Sequence, residues 1–300
     1  MAAQLPETAY VAAGAPPPLP SLVSGRRLRA HRLGRTLRLW VPAGILIVLL
    51  AMCFLLPLVV TMPSSTSGDI IYNNESPFSP GHLLGTNVQG VDIFSQLVYG
   101  GQVTFEIGVA VTAIGIAVGG TLGVVAAYFS GWVDAVLSRV LDILIAFPAL
   151  VLALVIAEGL GPSEFHVILA LSVFGIPAVG RIARGATLTM RGLPYMTAAR
   201  LSGTRSWRAI TRHVLPNIMP VIVTFSLLGI GVVIILEGAL DFLGYGIPLP
   251  EASWGSMIAQ GQQIMTAQPE DVLIPSIALL ITVVALNTLG DALRERWGVQ

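Results

Sequence analysis

Six apolar segments, separated by polar ones, dominate the pattern of this 300-residue sequence. An α-helix needs about 20 apolar residues to cross the hydrocarbon core of a bilayer, so each segment is predicted to be a transmembrane helix and the fold to be all-α. The fourth segment is short and contains Gly175 and Pro177, which predicts an interruption there. The predicted spans occupy residues 40–62, 102–129, 137–157, 167–179, 216–236 and 272–289.

The polar segments divide the chain into predicted regions. Residues 1–25 are rich in proline and are predicted to be a disordered tail. Residues 26–62 join a basic segment to the first span, which is too long for a signal-peptide core and is interpreted as an uncleaved anchor. Residues 63–101 contain clusters of Pro, Asn, Ser and Gly and are predicted to form a long loop. Residues 102–297 are the predicted core, with the other five spans.

The composition agrees with a membrane protein. The chain is 54% hydrophobic and 11% charged, whereas soluble domains contain about 25% charged residues. All 16 basic residues are arginine, so the chain lacks both the lysine of a nucleotide-binding phosphate loop and a Schiff-base lysine. The one cysteine, Cys53, lies within the first span, and the four histidines have no ligand spacing. Neither an internal disulfide nor a metal site is therefore expected.

The arginines fall on one side of the six predicted spans. Leaving out the fourth span would separate the central arginines from the others. Because basic residues mark the cytoplasmic flanks of membrane spans, both termini are predicted to lie in the cytoplasm and the chain to reside in the cytoplasmic membrane. The arginines are six at 26–38, Arg139, seven at 181–212, and Arg294 with Arg296.

The opposite segments are acidic or uncharged and are predicted to be extracytoplasmic. The loops at 63–101 and 238–271 are long, and long loops are commonly functional or disordered. The second of them contains a predicted helix near 256–264. The carboxylates on this side are Asp69, Glu75, Asp92, Glu164, Asp241, Glu251, Glu270 and Asp271.

The segment at 183–215, between the fourth and fifth spans, has helix-forming composition and contains residues that typically begin and end helices. Pro194 stands where a helix can begin, and Gly203 stands where that helix can end in a left-handed conformation. A second helix is predicted to follow, capped by Thr204 or Ser206 and running to about residue 213.

This basic segment admits two interpretations. Its arginines could be topology markers on helices that lie on anionic headgroups. Alternatively, the segment could be a docking surface for another protein, with the small side chains of Ala198 and Ala199 allowing close approach. The periodicity does not distinguish between them.

The order of residues resembles a known family. Ala198 and Ala199 are followed after three residues by Gly203 and, after nine more, by the run from His213 to Asn217. This order resembles the EAA loop of ABC importer permeases, and its ending resembles the dipeptide/oligopeptide branch (DppC/OppC-like). The resemblance extends over about residues 26–297. Further similar segments lie at 85–87, Asp92, 127–134, 142–148, 242–244, 253–257 and 287–294.

The resemblance implies a type I importer permease fold, with six transmembrane helices and a coupling loop at 183–215 that docks on an ATPase. It implies no catalytic residue in this chain. The implied coupling residues are Thr197, Ala198, Ala199, Gly203, Arg205, Trp207, Arg208, Arg212, Leu215 and Pro216.

The resemblance also implies partners: a second, homologous permease chain (DppB/OppB-like), two ATPase subunits or one fused ATPase, and an extracytoplasmic solute-binding protein. ATP and magnesium would be bound by the ATPases, so no cofactor is expected in this chain, and no nucleic acid partner is expected. The implied function is uptake of dipeptides or oligopeptides.

Two positions depart from the family pattern. Thr197 stands where the family usually has the glutamate that opens the EAA triplet, so we expect docking by shape with a weaker charge contribution. Val91 stands where the family usually has an arginine, which leaves the outer side without that charge.

Ionisable residues near membrane spans are candidates for function. Glu237 and Asp241, at the outer end of the fifth span, could face the transport pathway or be solvated at a helix end. Asp142 is predicted to pair with Arg139, one turn earlier on the same helix.

Other functions are compatible with parts of the pattern. The same architecture could carry a nickel chelate, haem, glutathione or an opine. An ion-coupled secondary transporter would show an internal repeat and midplane charges, and neither is evident. A membrane-bound enzyme would need clustered polar residues at one depth, and none is evident.

Overall fold

The computed structural model describes residues 25–298, with side chains from residue 36, and over this range it is helical without a named β-strand. The predicted tail before Gly25 and the side chains of the first five arginines lie outside the described residues. The all-α prediction is confirmed. The α-helices are α1 Gly25–Leu50, α2 Leu56–Val59, α3 Ile93–Ile114, α4 Thr121–Phe129, α5 Gly131–Ala146, α6 Ala149–Leu160, α7 Glu164–Arg191, α8 Pro194–Leu201, α9 Ser206–Ala209, α10 Leu215–Phe242, α11 Trp254–Gly261 and α12 Glu270–Trp297.

Short π-helical segments join several of these helices, so that some pairs form single runs. Among the described residues, five helical runs are long and apolar enough to cross a membrane. A sixth exists if α5 and α6 are counted as one span. The five runs are Thr36–Val59, Ile93–Phe129, Glu164–Arg191, Ser206–Phe242 and Glu270–Trp297.

The third predicted span, at 137–157, is not a continuous helix. α5 and α6 meet at an angle of 86°, with the break at Phe147 and Pro148. Phe147 has extended backbone angles (φ −84°, ψ 138°), because the ring of a proline disfavours the helical conformation of the residue before it. If this segment crosses the membrane, it does so as two helices joined at a sharp bend.

The predicted interruption of the fourth span is wrong. α7 continues through Pro177 for 28 residues. Proline removes one hydrogen bond, but its fixed φ is compatible with a helix, and neighbouring helices commonly compensate in membrane proteins. Gly175 lies where α7 closely approaches the helical run Ile93–Phe129. A Cβ added to Gly115 of that run would lie 3.1 Å from the Gly175 carbonyl oxygen.

Glycines bring α4 and the π-helical segment before it against α7. A Cβ on Gly119 would collide with the carbonyl oxygen of Ile176, and one on Gly123 would collide with that of Gly180. Small residues allow helices in membranes to approach until their backbones touch. The glycine-rich composition of the second span is thus explained by packing.

The outer loop ends earlier than predicted, because α3 begins at Ile93 and residues 93–101 are helical. Asp92 caps this helix: its Oδ2 accepts hydrogen bonds from the Ser95 N–H at 2.7 Å and from the Ser95 hydroxyl at 2.8 Å. His82 Nδ1 lies 2.9 Å from the other carboxylate oxygen of Asp92. A short polar side chain at an N-cap satisfies amide groups that the first turn leaves free.

The second long loop is also shorter than predicted, because α10 extends to Phe242 and α12 begins at Glu270. The helix expected near 256–264 is confirmed as α11, followed by a 3₁₀ turn. Trp254 is fully buried at its start, donates its Nε1–H to the Leu97 carbonyl at 2.8 Å, and packs edge-on against Phe105. This residue fastens the loop to α3.

Candidate coupling surface and membrane cavity

α8 has the ends that the sequence predicts. Pro194 occupies its first turn, where the missing amide hydrogen is not needed. Gly203 has φ +75°. Its N–H donates to the Arg200 carbonyl at 3.0 Å, while the Thr204 N–H donates to the Ala199 carbonyl at 3.1 Å. These two bonds form a Schellman motif, which fixes the sharp turn after α8.

The second predicted helix differs from the expectation. α9 begins at Ser206, and the residue before it, Arg205, makes no capping hydrogen bond, so the predicted cap by Thr204 or Ser206 is wrong. The helix does not stop near residue 213 either. A π-helical segment, Ile210–Val214, carries it into α10, and one helical run extends from Ser206 to Phe242.

Buried apolar residues hold α8 and α9 against the ends of the membrane helices. Met196 of α8 is fully buried, as are Ala209 and Ile210 of the following run. They belong to one cluster with Tyr128 of α4 and Ala183 of α7. The segment is therefore packed against the helices at a fixed position.

Other residues of α8 and α9 face outward. Trp207 is 76% exposed and Leu201 is 84% exposed, so both large apolar side chains are available to contact another surface. We call the exposed residues Thr197, Ala198, Leu201, Arg205 and Trp207 the α8–α9 surface.

The residues predicted for coupling lie mostly at the surface. Ala199 and Leu215 are half-buried, and the others are exposed: Thr197, Ala198, Gly203, Arg205, Trp207, Arg208, Arg212 and Pro216. Leu201 was missed in the sequence analysis. Its signal was an apolar residue at the end of a polar helix, directly before a glycine cap.

The central arginines separate into two groups. Arg184 forms a two-bond pair with Asp134 of α5, at 2.6 and 2.7 Å, and Arg191 donates to the Ala127 carbonyl at 3.4 Å. Arg200 lies over the ring of Tyr128, 5.7 Å from its centre. These arginines join helices of this chain. Arg205, Arg208 and Arg212 form the second group, and their side chains are exposed at the start of α9 and beyond it.

The predicted partner of Asp142 is wrong. Its carboxylate accepts a hydrogen bond from Arg181 of α7 at 2.9 Å instead of pairing with Arg139. Since α5 and α7 pack side by side, the tertiary contact competes with the local one. Arg38 of α1 and Glu295, near the end of α12, approach to 3.8 Å. We call this end of the molecule the arginine end and the opposite one the acidic end.

Glu237 and Asp241 are both buried, so the expectation of a solvated helix-end carboxylate is wrong. Asp241 accepts hydrogen bonds from the Ile247 N–H at 2.6 Å and from the Ser253 hydroxyl, so it holds the loop after α10. Glu237 is fully buried one turn earlier on α10, beside Asp241 and Ser253.

A cavity of about 130 Å³ lies between α3, α7 and α10. Its walls are mostly apolar and include Val111, Phe174 and Val233. Thr112 and Ser226 supply hydroxyls, and the Ser226 oxygen has no hydrogen-bond partner among the described residues. Sequence reasoning missed this cavity, because its lining comes from three separate helices.

The sequence of residues 119–296 matches the family described as "binding-protein-dependent transport system inner membrane component". The chain belongs to this family. It is therefore a permease subunit of a binding-protein-dependent transport system, and the predicted family resemblance is confirmed. Membership contradicts the alternatives of an ion-coupled secondary transporter and a membrane-bound enzyme.

Related permeases cover most of the chain. A glutathione transport system permease protein, GsiD, from Pectobacterium atrosepticum is 36% identical over 85% of both chains. A dipeptide transport system permease protein, DppC, from Alkalihalophilus pseudofirmus is 35% identical over 71% of this chain and 70% of that protein.

Solved structures share the fold. An inward-facing structure of the MetNI methionine ABC transporter matches with a TM-score of 0.57 and 16% identity, covering 67% of this permease and 96% of that chain. An amino acid ABC transporter matches with a TM-score of 0.51 and 17% identity, over 67% and 94%. The predicted type I importer permease fold is confirmed.

Proposed function

We propose that this permease forms, with a second homologous permease chain, the membrane path of an ATP-driven importer of small peptides. The relatives named for dipeptides and for glutathione, itself a tripeptide, support this substrate class. A second candidate keeps the architecture and changes the cargo, since the two relatives already differ in the compound that they are named for.

The α8–α9 surface docks on the ATPase subunits, and this end of the molecule faces the cytoplasm. The observation that carries the proposal is the pair of exposed apolar residues Leu201 and Trp207, held on helices whose opposite face is buried. A membrane surface would also accept them, but the solved structures that share this fold belong to ABC transporters, which favours an ATPase subunit as the partner. Thr197 contributes by shape and hydrogen bonding in place of a carboxylate.

Movement passes from the docking surface to the membrane along one helix. Trp207 and Ser226 belong to the same helical run, Ser206–Phe242. When the ATPases bind ATP and magnesium and close, a rigid shift of α9 moves the α10 wall of the cavity. The binding protein delivers substrate at the acidic end. The chain has no lysine for a nucleotide-binding phosphate loop, which agrees with ATP hydrolysis by partner subunits.

The test replaces Leu201 with serine in the complete transporter, reconstituted in proteoliposomes with ATPases and binding protein. We expect uptake of a labelled dipeptide and peptide-stimulated ATP hydrolysis to fall together by at least about tenfold, the range of an interface hot spot. Leu188→Ser is the matched control, because Leu188 is an exposed leucine of α7 that lies outside both the α8–α9 surface and the acidic end.

Equal activity of the Leu201→Ser and Leu188→Ser transporters would contradict docking through the α8–α9 surface. The cargo is tested separately, by identifying the compound that co-purifies with the binding protein. A ligand that is not a peptide would favour the second candidate and leave the docking proposal intact.

A further inference from the structure

A small cavity lies at the acidic end, where the beginning of α3, the end of α11 and the beginning of α12 meet. Its volume of about 20 Å³ accommodates one water-sized sphere. Four side chains with amide or carboxylate oxygens contribute to its lining: Asn87, Gln96, Gln260 and Asp271.

Asp271 is the charged group of this cavity. Its side chain is buried, and its Oδ1 has no hydrogen-bond partner among the described residues. A buried carboxylate oxygen without a partner is costly, so such a group is normally paired or bound to a cation. α11 packs closely here, since a Cβ on Gly261 would lie 2.9 Å from the Asp271 Cβ.

No described basic side chain can supply the compensating charge. The chain has no lysine, and no arginine lines the cavity. Arg294 and Arg296 stand at the far end of the same 28-residue helix, about 35 Å away at 1.5 Å per residue. Of the acidic-end histidines, His82 contacts Asp92, and His166 lies 3.0 Å from the Gly161 carbonyl.

The remaining groups offer neutral oxygens. Gln96 Oε1 accepts one hydrogen bond, from Asn87 Nδ2 at 3.0 Å, and an amide oxygen has a second lone pair. Gln260 is half-buried and lines the same space. Carboxylate and carbonyl oxygens are the ligands that hard cations prefer. One carboxylate among neutral amides is balanced by a single positive charge.

We propose that this cavity binds one monovalent cation of the size of sodium, with Asp271 as its charged ligand and Gln96 and Gln260 as neutral ones. The cation joins α3, α11 and α12. In the orientation proposed above, these segments lie at the face that receives the binding protein, so the site stabilises the receiving surface.

The test measures thermal unfolding of the purified transporter in sodium chloride and in choline chloride at equal ionic strength. For a domain of this size we expect the Tm in sodium to be higher by about 2–4 °C. The difference disappears in Asp271→Asn. It persists in Glu270→Gln, the matched control, since Glu270 precedes Asp271 but does not line the cavity.

Saturable binding of radioactive sodium, one ion per permease chain, is the direct measurement. Equal Tm values in the two salts, no saturable sodium binding, or an undiminished sodium effect in Asp271→Asn would each overturn the proposal. Stabilisation by calcium without any by sodium would overturn the assignment to a monovalent ion. If Asp271→Asn does not fold, Gln260→Met serves in its place and is expected to weaken sodium binding.

Discussion

The two ends of this permease differ in the kind of side chain that each one buries or exposes. At the acidic end, polar groups are buried and bonded within the chain: Asp92 caps α3, Asp241 holds the loop after α10, and Trp254 is enclosed. At the arginine end, Leu201 and Trp207 remain exposed on ordered helices. These buried groups at the acidic end are satisfied within the chain, whereas the docking proposal requires a partner to cover Leu201 and Trp207 at the arginine end.

The sharpest test of this contrast compares two tryptophans. Trp254→Ala removes a fully buried ring, its hydrogen bond to Leu97 and its contact with Phe105, so we expect a loss of about 3–5 kcal/mol in the free energy of unfolding. Trp207→Ala should change stability by less than about 0.5 kcal/mol, because its ring is largely exposed, and yet abolish coupled ATP hydrolysis. Denaturation in detergent measures the first quantity. Comparable destabilisation by both changes would remove the contrast.

Two arginines at the same end should differ in a smaller way. Arg184→Met breaks the two-bond pair with Asp134, in which both side chains are partly buried, and should cost about 1–2 kcal/mol after allowance for solvent screening. Arg181→Met breaks a more exposed, single-bond pair with Asp142 and should cost less than about 1 kcal/mol. Thermal unfolding at low and high salt checks both. A greater loss in the Arg181 variant would show that exposure does not set the order.

A side chain in the turn after α8 should lower the free energy of unfolding by about 1 kcal/mol. Gly203→Ala places a side chain in the left-handed region at φ +75°, at a position with no atom within 4 Å, so the cost is conformational alone. Gly192→Ala is the control, because Gly192 has φ −78° and accepts alanine without strain. Unfolding midpoints of the two variants should separate accordingly, and coincident midpoints would contradict the argument.

The smallest expected effect concerns Thr197. Thr197→Glu introduces the carboxylate that the family resemblance implies here, on an exposed position near the start of α8. If docking depends on shape, peptide uptake should stay within about twofold, since an exposed charge pair contributes only about 0 to 1 kcal/mol. A large gain in ATPase affinity, measured by co-sedimentation with the ATPases, would show instead that the missing charge limits docking.

Local features were predictable from the sequence. The apolar segments located the helical runs, Pro194 and Gly203 located the ends of α8, and the spacing of residues pointed to the permease family. Two features of helix continuity were not predicted, and both concern prolines. Pro148 bends a segment that was predicted to be one span, while Pro177 leaves α7 continuous. Pro148 is exposed at the break between α5 and α6, whereas Pro177 is buried within α7, where neighbouring helices can compensate for the lost hydrogen bond.

The sequence by itself determined which segments are helical, where the arginines cluster, and that no lysine is present, because these depend on composition and short-range periodicity. Only the tertiary structure decided that Asp142 pairs with Arg181, that Glu237 is enclosed, and that α9 continues into α10. It also decided that Asp271 meets Gln96 and Gln260 in one cavity. These features depend on contacts between residues far apart in the chain, and periodicity along one helix carries no information about the surface that packs against it.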